Sequence, residues 1–421
     1  REGLWSRGKA GVIQRWENDY TIGDSASDNY SGVEPQFKLE FAAIGPSGLS
    51  AFAKFRSRTE SIVNDAPLRD RHKEPAVHVY EAFALWRDIA GAPVAIQAGR
   101  QDFDEYREWL FDAQLDALRL YAYPLYPIVA EAAYINSLDD SPENKFRTTE
   151  DFLLHVHGRL FDGAEAAAYR LWRTDSGPRG QEPIWTGLRF RGTHPRLRPW
   201  VDIAWLRGWD KGRRFSAQAV DLGTTIVQRL AGLNMSATVG YANASGNDHN
   251  PKETGINEEF RQTGYEDNTG TFAGVTSLQY YGEVFDPELS NMSILTLGAG
   301  CRPSGSLSID VIYHTFQQSE YSEAVQREIQ GTDLTVYDNG GRGIDPSNGR
   351  PVTDLFPYKD IGWELDVVTG LTGLFGFMNV KWVFGYFSPG DALRPPYWDL
   401  FPFKPKEQSA VLNQLNLEWR F

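Results

Sequence analysis

Almost the whole chain alternates apolar with polar residues at a period of two, and no other feature restricts the fold so severely. A period of two puts successive side chains on opposite faces of an extended strand, so each run reads as a strand with one greasy and one wet side. In the run 408–421, Leu415, Leu417, Trp419 and Phe421 share one face, and Gln414, Asn416, Glu418 and Arg420 the other. Val380, Trp382, Phe384 and Tyr386 likewise alternate with Asn379, Lys381, Val383 and Gly385, as do Trp363, Leu365 and Val367 with Glu364, Asp366 and Val368. Comparable runs occupy 4–18, 34–44, 49–60, 77–90, 93–101, 114–123, 125–137, 151–161, 164–173, 183–193, 198–208, 215–229, 232–243, 291–302 and 304–317, which makes eighteen strands. A tilted strand needs ~9–11 residues to cross a bilayer, and these runs supply that length.

The connections alternate too. Tight turns are expected at Gly45-Pro-Ser-Gly48, Gly91-Ala92, Pro124, Asp162-Gly163, His194–Leu197, Leu230-Ala231, Pro303 and Leu374–Gly376, with longer pieces between them. Short turns at one end and long loops at the other are the pattern of an outer-membrane barrel. A soluble sandwich or propeller does not predict it, and no repeat of propeller-blade length is visible. The expected fold is therefore all-β: a single up-and-down antiparallel transmembrane β-barrel of about eighteen strands spanning 1–421, in the bacterial outer membrane. Its external loops are expected at about 19–33, 61–76, 102–113, 244–290, 318–359 and 388–407. An extra strand-like piece, Val275–Gly282, is assigned to the loop 244–290, which keeps the count even and both termini periplasmic.

Composition agrees with a barrel and removes several rivals. Hydrophobic residues make up 41% and the mean hydropathy is −0.44, because a barrel shows lipid only every second residue. No window approaches the ~20 consecutive apolar residues of a spanning helix. Aromatics reach 13%, which suits interfacial girdles but also a soluble carbohydrate-binding β-protein, the main rival from outside the class. The single cysteine, Cys301, forms no intrachain disulfide, and no Cys/His zinc pattern occurs. A net charge of −14 argues against a nucleic-acid partner. No leader pattern opens the chain at Arg1-Glu-Gly-Leu-Trp5, so the expected state is that of a mature exported protein.

The second half carries phrases similar to the alginate-export porin family: FRQTGYEDNTGTF at Phe260–Phe272, YGEVFDPELSNMSILTLGAG at Tyr281–Gly300, VIYHTFQ at Val311–Gln317, DIGWELDVV at Asp360–Val368, GYFSPGDA at Gly385–Ala392 and the closing LEWRF. AGRQDF at Ala98–Phe103 and VDLG at Val220–Gly223 extend the likeness upstream, and the aromatic end resembles the insertion signal of outer-membrane barrels. The resemblance implies a monomeric eighteen-stranded barrel passing an anionic exopolysaccharide, whose carboxylates meet lumenal arginines and lysines. It also implies a stopper in the family's exporter, a long periplasmic turn between the sixteenth and seventeenth strands. In this chain that turn is only Gly373–Gly376, so the periplasmic mouth is expected to be open unless another segment fills it, the longest candidates being 244–290 and 318–359.

Alternation gives the expected substrate path. Lys38, Lys54, Arg56, Arg58, Arg100, Arg119, Arg159, Arg170, Arg189, Arg191, Lys381 and Arg420 are expected to face the lumen, with Asp310, Glu364, Asp366 and Glu418, and Glu40 as a further inward carboxylate. Guanidinium binds carboxylate bidentately, so same-face pairs such as Arg56/Arg58 and Arg189/Arg191 favour an acidic solute. Glu364 and Asp366 sit two apart as a glycosidase pair would, and Asp310 and His314 share a face, but no G-x-S-x-G or paired nucleophile and base exists. No enzymatic activity is therefore expected. His155-x-His157 offers two imidazoles without a third ligand that spacing can name, so it reads as a wet lumenal face, and neither metal nor cofactor is expected. The run Pro395–Lys404, PPYWDLFPFK, reads as a self-packed loop. The expected function is export or diffusion of an acidic polysaccharide or small anionic solute, the alternatives being a general diffusion porin and a barrel enzyme. Expected partners are outer-membrane lipid, lipopolysaccharide and a periplasmic secretion component.

Overall fold

The computed structural model describes residues 3–18, 29–64, 73–137, 148–177, 180–248, 254–320, 324–329, 332–338, 359–393 and 409–421. Its wall consists of β1 Gly3–Asn18, β2 Asn29–Ile44, β3 Leu49–Asn64, β4 Lys73–Arg87, β5 Val94–Asp104 and β6 Asp112–Leu125. Then follow β7 Ile128–Asn136, β8 Thr149–Phe161, β9 Ala164–Asp175, β10 Gln181–Gly192, β11 Leu197–Asp210 and β12 Ala217–Leu230. The last six are β13 Leu233–Ala244, β14 Met292–Ser304, β15 Leu307–Gln318, β16 Asp360–Leu374, β17 Met378–Pro389 and β18 Ala410–Arg420. Each pairs antiparallel with the next, and β1 pairs with β18, which closes an eighteen-stranded barrel. Closure leaves no open edge, as strands in lipid require.

The seam has its own packing. Phe421 exchanges backbone hydrogen bonds with Gly8 at 3.1 Å each way, and its ring lies against Phe37. A Cβ on Gly8 would run into that ring, so any larger residue there requires the exposed Phe421 ring to swing aside. On the outward face Leu118, Leu120, Phe152, Leu154, Val156, Leu188, Val239, Leu297 and Trp382 are exposed large hydrophobics, the surface a bilayer covers.

Three expectations about the elements need adjusting. The turns expected at Pro124 and Pro303 fall further along, at Tyr126-Pro127 and Gly305-Ser306, because a proline near a strand end removes only one ladder donor. β2, β3 and β4 run past the alternating segments, from Asn29, to Asn64 and from Lys73, since antiparallel backbone pairing continues beyond the alternating sequence. Within 318–359 the chain forms a hairpin, Ala324–Ile329 with Thr332–Asp338. Val275–Gly282 holds only the two-residue strand Leu278–Gln279 and belongs to the long loop, as expected.

The hydrophobic core lies inside the barrel. The connection between β13 and β14 folds into the lumen, burying Phe260, Tyr265, Phe272, Leu278, Tyr280, Tyr281, Phe285 and Leu289. It packs on wall residues Trp185, Trp200, Leu206, Phe316 and Phe387, and on Trp109, Leu110 and Phe111 from the piece between β5 and β6. Phe285 stacks on Phe387 at 4.8 Å and Phe111 on Tyr265 at 5.7 Å. The Gly373–Gly376 turn is as short as expected, and the lumen is filled from the other end instead.

Candidate functional site

The lumen has a wall that grips the folded-in loop and a wall that faces a cavity. On the gripping wall, the Glu364 carboxylate accepts the backbone N–H of Val284 at 2.7 Å and of Phe285 at 2.8 Å, while Asp366 accepts that of Glu283 at 3.3 Å. Gly282 enters this clamp at φ +110°, with the Glu364 carboxyl 2.8 Å from where a Cβ would sit. Asp221 accepts from Tyr281 Oη at 2.8 Å, Trp200 Nε1 at 2.8 Å and Arg107 Nη2 at 2.5 Å. From the cavity-facing wall too, Arg173 of β9 holds Asp151 of β8 and donates to the Thr263 carbonyl at 2.6 Å, and Tyr265 donates to Asp151 at 2.7 Å, so that wall also grips the loop at its far end. Arg302 pairs with Asp310 at 2.8 Å and donates to the Ala273 carbonyl at 2.5 Å. Gln262 joins the two inward pieces by donating to the Trp109 carbonyl at 2.8 Å and accepting from Leu289 N at 3.0 Å.

Where the two inward pieces meet, Glu108 receives the Thr269 hydroxyl and its backbone N–H. Burial, reinforced by Asp112, Asp267 and Asp104, pushes the Glu108 carboxyl up to about 8 despite that hydroxyl. Burial raises Asp267 as well.

The facing wall, β5 to β10, borders a cavity of ≈ 580 Å³ that reaches the Tyr126-Pro127 turn. Arg119, Arg159, Arg189 and Arg191 line it, with Phe103, Tyr106 and Tyr121. Arg189 is tied to Glu105 at 2.6 Å and Asp202 at 2.5 Å. Arg191 pairs with Glu165 at 2.7 Å and lies 3.6 Å over the Tyr106 ring. Arg119 pairs with Glu131 at 2.7 Å and covers Phe103. Arg159 is the freest of the four, with 59% of its side chain exposed and Asp162 at 3.9 Å. Further round, Lys38, Lys54 and Arg56 converge on the Tyr80 ring at 5.9, 4.6 and 5.5 Å, Lys54 also reaching Glu81 at 2.6 Å.

Arg119, Arg159, Arg189 and Arg191 border the cavity, and Lys38, Lys54 and Arg56 gather at Tyr80. Lys381 faces Glu283 of the loop, and Glu418 sits between Lys9 and Arg420. Asp310, Glu364 and Asp366 are lumenal but anchor the loop rather than line a path. The side chain of Arg58 and the run Pro395–Lys404 lie outside the described residues. Two positions need correction. Arg170 stands opposite Leu154 and Thr186, between buried Tyr169 and Leu171, so it faces outward, its guanidinium 4.8 Å over Trp172. Arg100 lies on the side of β5 away from lumenal Gln101 and Phe103 and binds Asp116 through two bonds of 3.0 and 2.8 Å. In both runs several residues are small or polar on either face, so alternation alone did not show which side was wet. Sequence reading missed Arg107, Arg173, Arg302 and Glu105. The available signal was the cluster of Phe260, Tyr265, Phe272, Tyr280, Tyr281 and Phe285 within 244–290, and the Trp109-Leu-Phe111 triplet, ring surface that a loop lying in water does not need.

A family model described as alginate export matches residues 16–396. The chain is 24% identical over 394 residues to the alginate production protein AlgE of Pseudomonas aeruginosa, covering 78% of this chain and 73% of that protein. It is 31% identical over 130 residues to AlgE of Azotobacter vinelandii, covering 30% of this chain and 23% of that one. Among solved structures, Pseudomonas aeruginosa OpdQ aligns with a TM-score of 0.59 at 9% identity, over 99% of this chain and 98% of that one. OprE of the same organism aligns at 0.58 and 9% identity with the same coverage. At such identities the likeness concerns the fold alone.

Proposed function

Because the chain belongs to the alginate export family and is an outer-membrane channel, we propose that it conducts anionic solutes, foremost an acidic polysaccharide, past the arginines of its open wall. The observation that carries this reading is the convergence of Arg119, Arg159, Arg189 and Arg191 on one ≈ 580 Å³ cavity beside Tyr106 and Tyr121, interleaved there with Asp104, Glu105, Glu131 and Glu165. Guanidinium forks match carboxylates, and aromatic faces accept the apolar faces of sugar rings. Carboxylate partners already hold Arg119, Arg189 and Arg191, so the contacts offered to a passing anion are shared and weak, as conduction requires. The folded-in loop occupies part of the lumen, and these charges act on a solute that passes within the ~8 Å screening length of physiological salt. The relatives' name points to alginate, a polymer with a carboxylate on each sugar. The channel works as a monomer, with lipid and lipopolysaccharide on its outward face and a periplasmic secretion component at its short-turn end.

A second reading rests on the loop itself. With 260–289 docked, a small acidic solute fits the cavity, whereas a polymer strand needs the loop to leave. Current block in planar bilayers separates these readings. Oligouronate should block at lower concentration than a neutral oligoglucan of equal length, more strongly at low salt. Equal block by both would remove the anionic reading, and block by short acids but not long oligouronates would favour the small-solute one.

A further inference from the structure

We propose that Glu131, His155 and His157 form a binding site for one divalent transition-metal ion of the zinc class, set in the lumenal wall with one coordination position open to the cavity. In the pairing of β7 with β8, Glu131 stands directly opposite His155, and His157 follows two residues on, opposite Val129. All three side chains therefore share the inward face, and their ligand atoms lie within 4.8 Å of one another. The imidazole rings stack at 4.7 Å between centroids with an interplanar angle of 21°. Zinc bonds of ~2.0–2.2 Å bring such donors somewhat closer together, a movement that rotation about χ1 and χ2 supplies without moving the sheet.

The donors are available. His155 Nε2 is buried without a hydrogen-bond partner. Glu131 gives one oxygen to Arg119 at 2.7 Å, while the other, Oε2, faces His155 Nδ1 at 3.7 Å. Arg119 thus orients the carboxylate as outer partners of metal ligands do. Its positive charge opposes a dication, but Glu131 lies between the two, and Asp104, Glu105 and Glu165 border the same cavity. Neither histidine grips the folded-in loop. Two imidazoles and one carboxylate suit Zn²⁺, Co²⁺, Ni²⁺ or Cu²⁺ rather than Ca²⁺ or Mg²⁺. Three protein ligands with an open fourth position leave room for water or for the carboxylate of a solute.

The test uses the full chain, free of any polyhistidine tag, folded in detergent. Titration with Co²⁺, read by its visible absorption, should show one tetrahedral or five-coordinate site per chain, from which Zn²⁺ displaces the cobalt and Ca²⁺ does not. His157→Ala and Glu131→Gln should each weaken binding by more than about tenfold, since outer partners alone are worth that much. His194→Ala, on an exposed turn, should bind as the parent does. Heat-modifiable electrophoretic mobility checks that each variant is folded, and His157→Asn replaces His157→Ala if the latter is not. The proposal is overturned if the parent protein takes up no cobalt, or if folded His157 and Glu131 variants bind it unchanged.

Discussion

Along β12, β15 and β16 the inward carboxylates Asp221, Asp310, Glu364 and Asp366 are only 0–3% exposed, whereas on the opposite wall Arg191 and Arg159 keep 22% and 59% of their side chains in contact with water. Both walls were built by the same alternation, and the difference comes from what covers them. A buried carboxylate is costly unless it is hydrogen-bonded or paired. On the gripping wall backbone N–H groups of residues 283–285, the Tyr281 hydroxyl and neighbouring arginines meet that need, so these charges hold the loop and are closed to a solute. On the open wall the arginines are held by carboxylates yet still border the cavity, so their field reaches whatever passes. Inward charges thus serve as structure on one side, and under the proposed function they act on the solute on the other.

Removing the loop should erase the contrast and produce the largest effect. With residues 260–287 replaced by a short Gly/Ser linker, single-channel conductance should rise several-fold, because the segment that fills the lumen is gone. Unchanged conductance would mean the current runs elsewhere. A smaller break is Gly282→Ala. Alanine at φ +110° is strained by about 1–3 kcal/mol and its Cβ meets the Glu364 carboxyl, so the clamp should open part of the time. Bilayer recordings should show flicker between the parent level and a higher one.

Acidity should tune the same docking. The Glu108 carboxyl is raised to about 8 in the folded chain by burial, against about 4.5 otherwise. A raised carboxyl favours the docked state fully below the lower value, and that contribution is lost as pH climbs through the higher one. Conductance should therefore increase between roughly pH 4.5 and pH 8 and level off above that. Glu108→Gln should flatten the response, and a response that persists in that variant would assign it to another group. The smallest effect is expected from Arg170→Leu. On the lipid-facing side it should leave conductance and selectivity unchanged and hold or raise stability, since an arginine there is unfavourable by as much as ~2–4 kcal/mol near mid-bilayer. Urea unfolding from liposomes and recordings on one preparation read both.

The wall was legible in the sequence because lipid and water impose a strict period of two, and the turn at Gly373–Gly376 was readable because a short peptide has nowhere else to go. The content of the lumen was harder. The long loop's aromatics, Phe260, Phe272 and Phe285 among them, carry no periodicity, and their partners Trp200 and Phe387 lie far away in sequence, so only tertiary contact reveals the docking. For the same reason Glu364 and Asp366 read as pore-lining charges when they are anchors. Arg100 and Arg170 show the limit of alternation itself: flanked by alanine, glycine or tyrosine, the pattern loses its contrast and the face must come from the partner strand.

The central claim, that the open wall meets the solute, is tested most directly by reversal potentials in a potassium chloride gradient with the parent channel and Arg159→Gln/Arg191→Gln. Arg159 and Arg191 border the cavity without holding the loop, so the change should alter charge and leave the barrel standing. The parent should prefer anions, and the variant's potential should move toward cation preference, most clearly at low salt, where screening is weakest. A parent that prefers cations, or a potential that does not move, would contradict that claim.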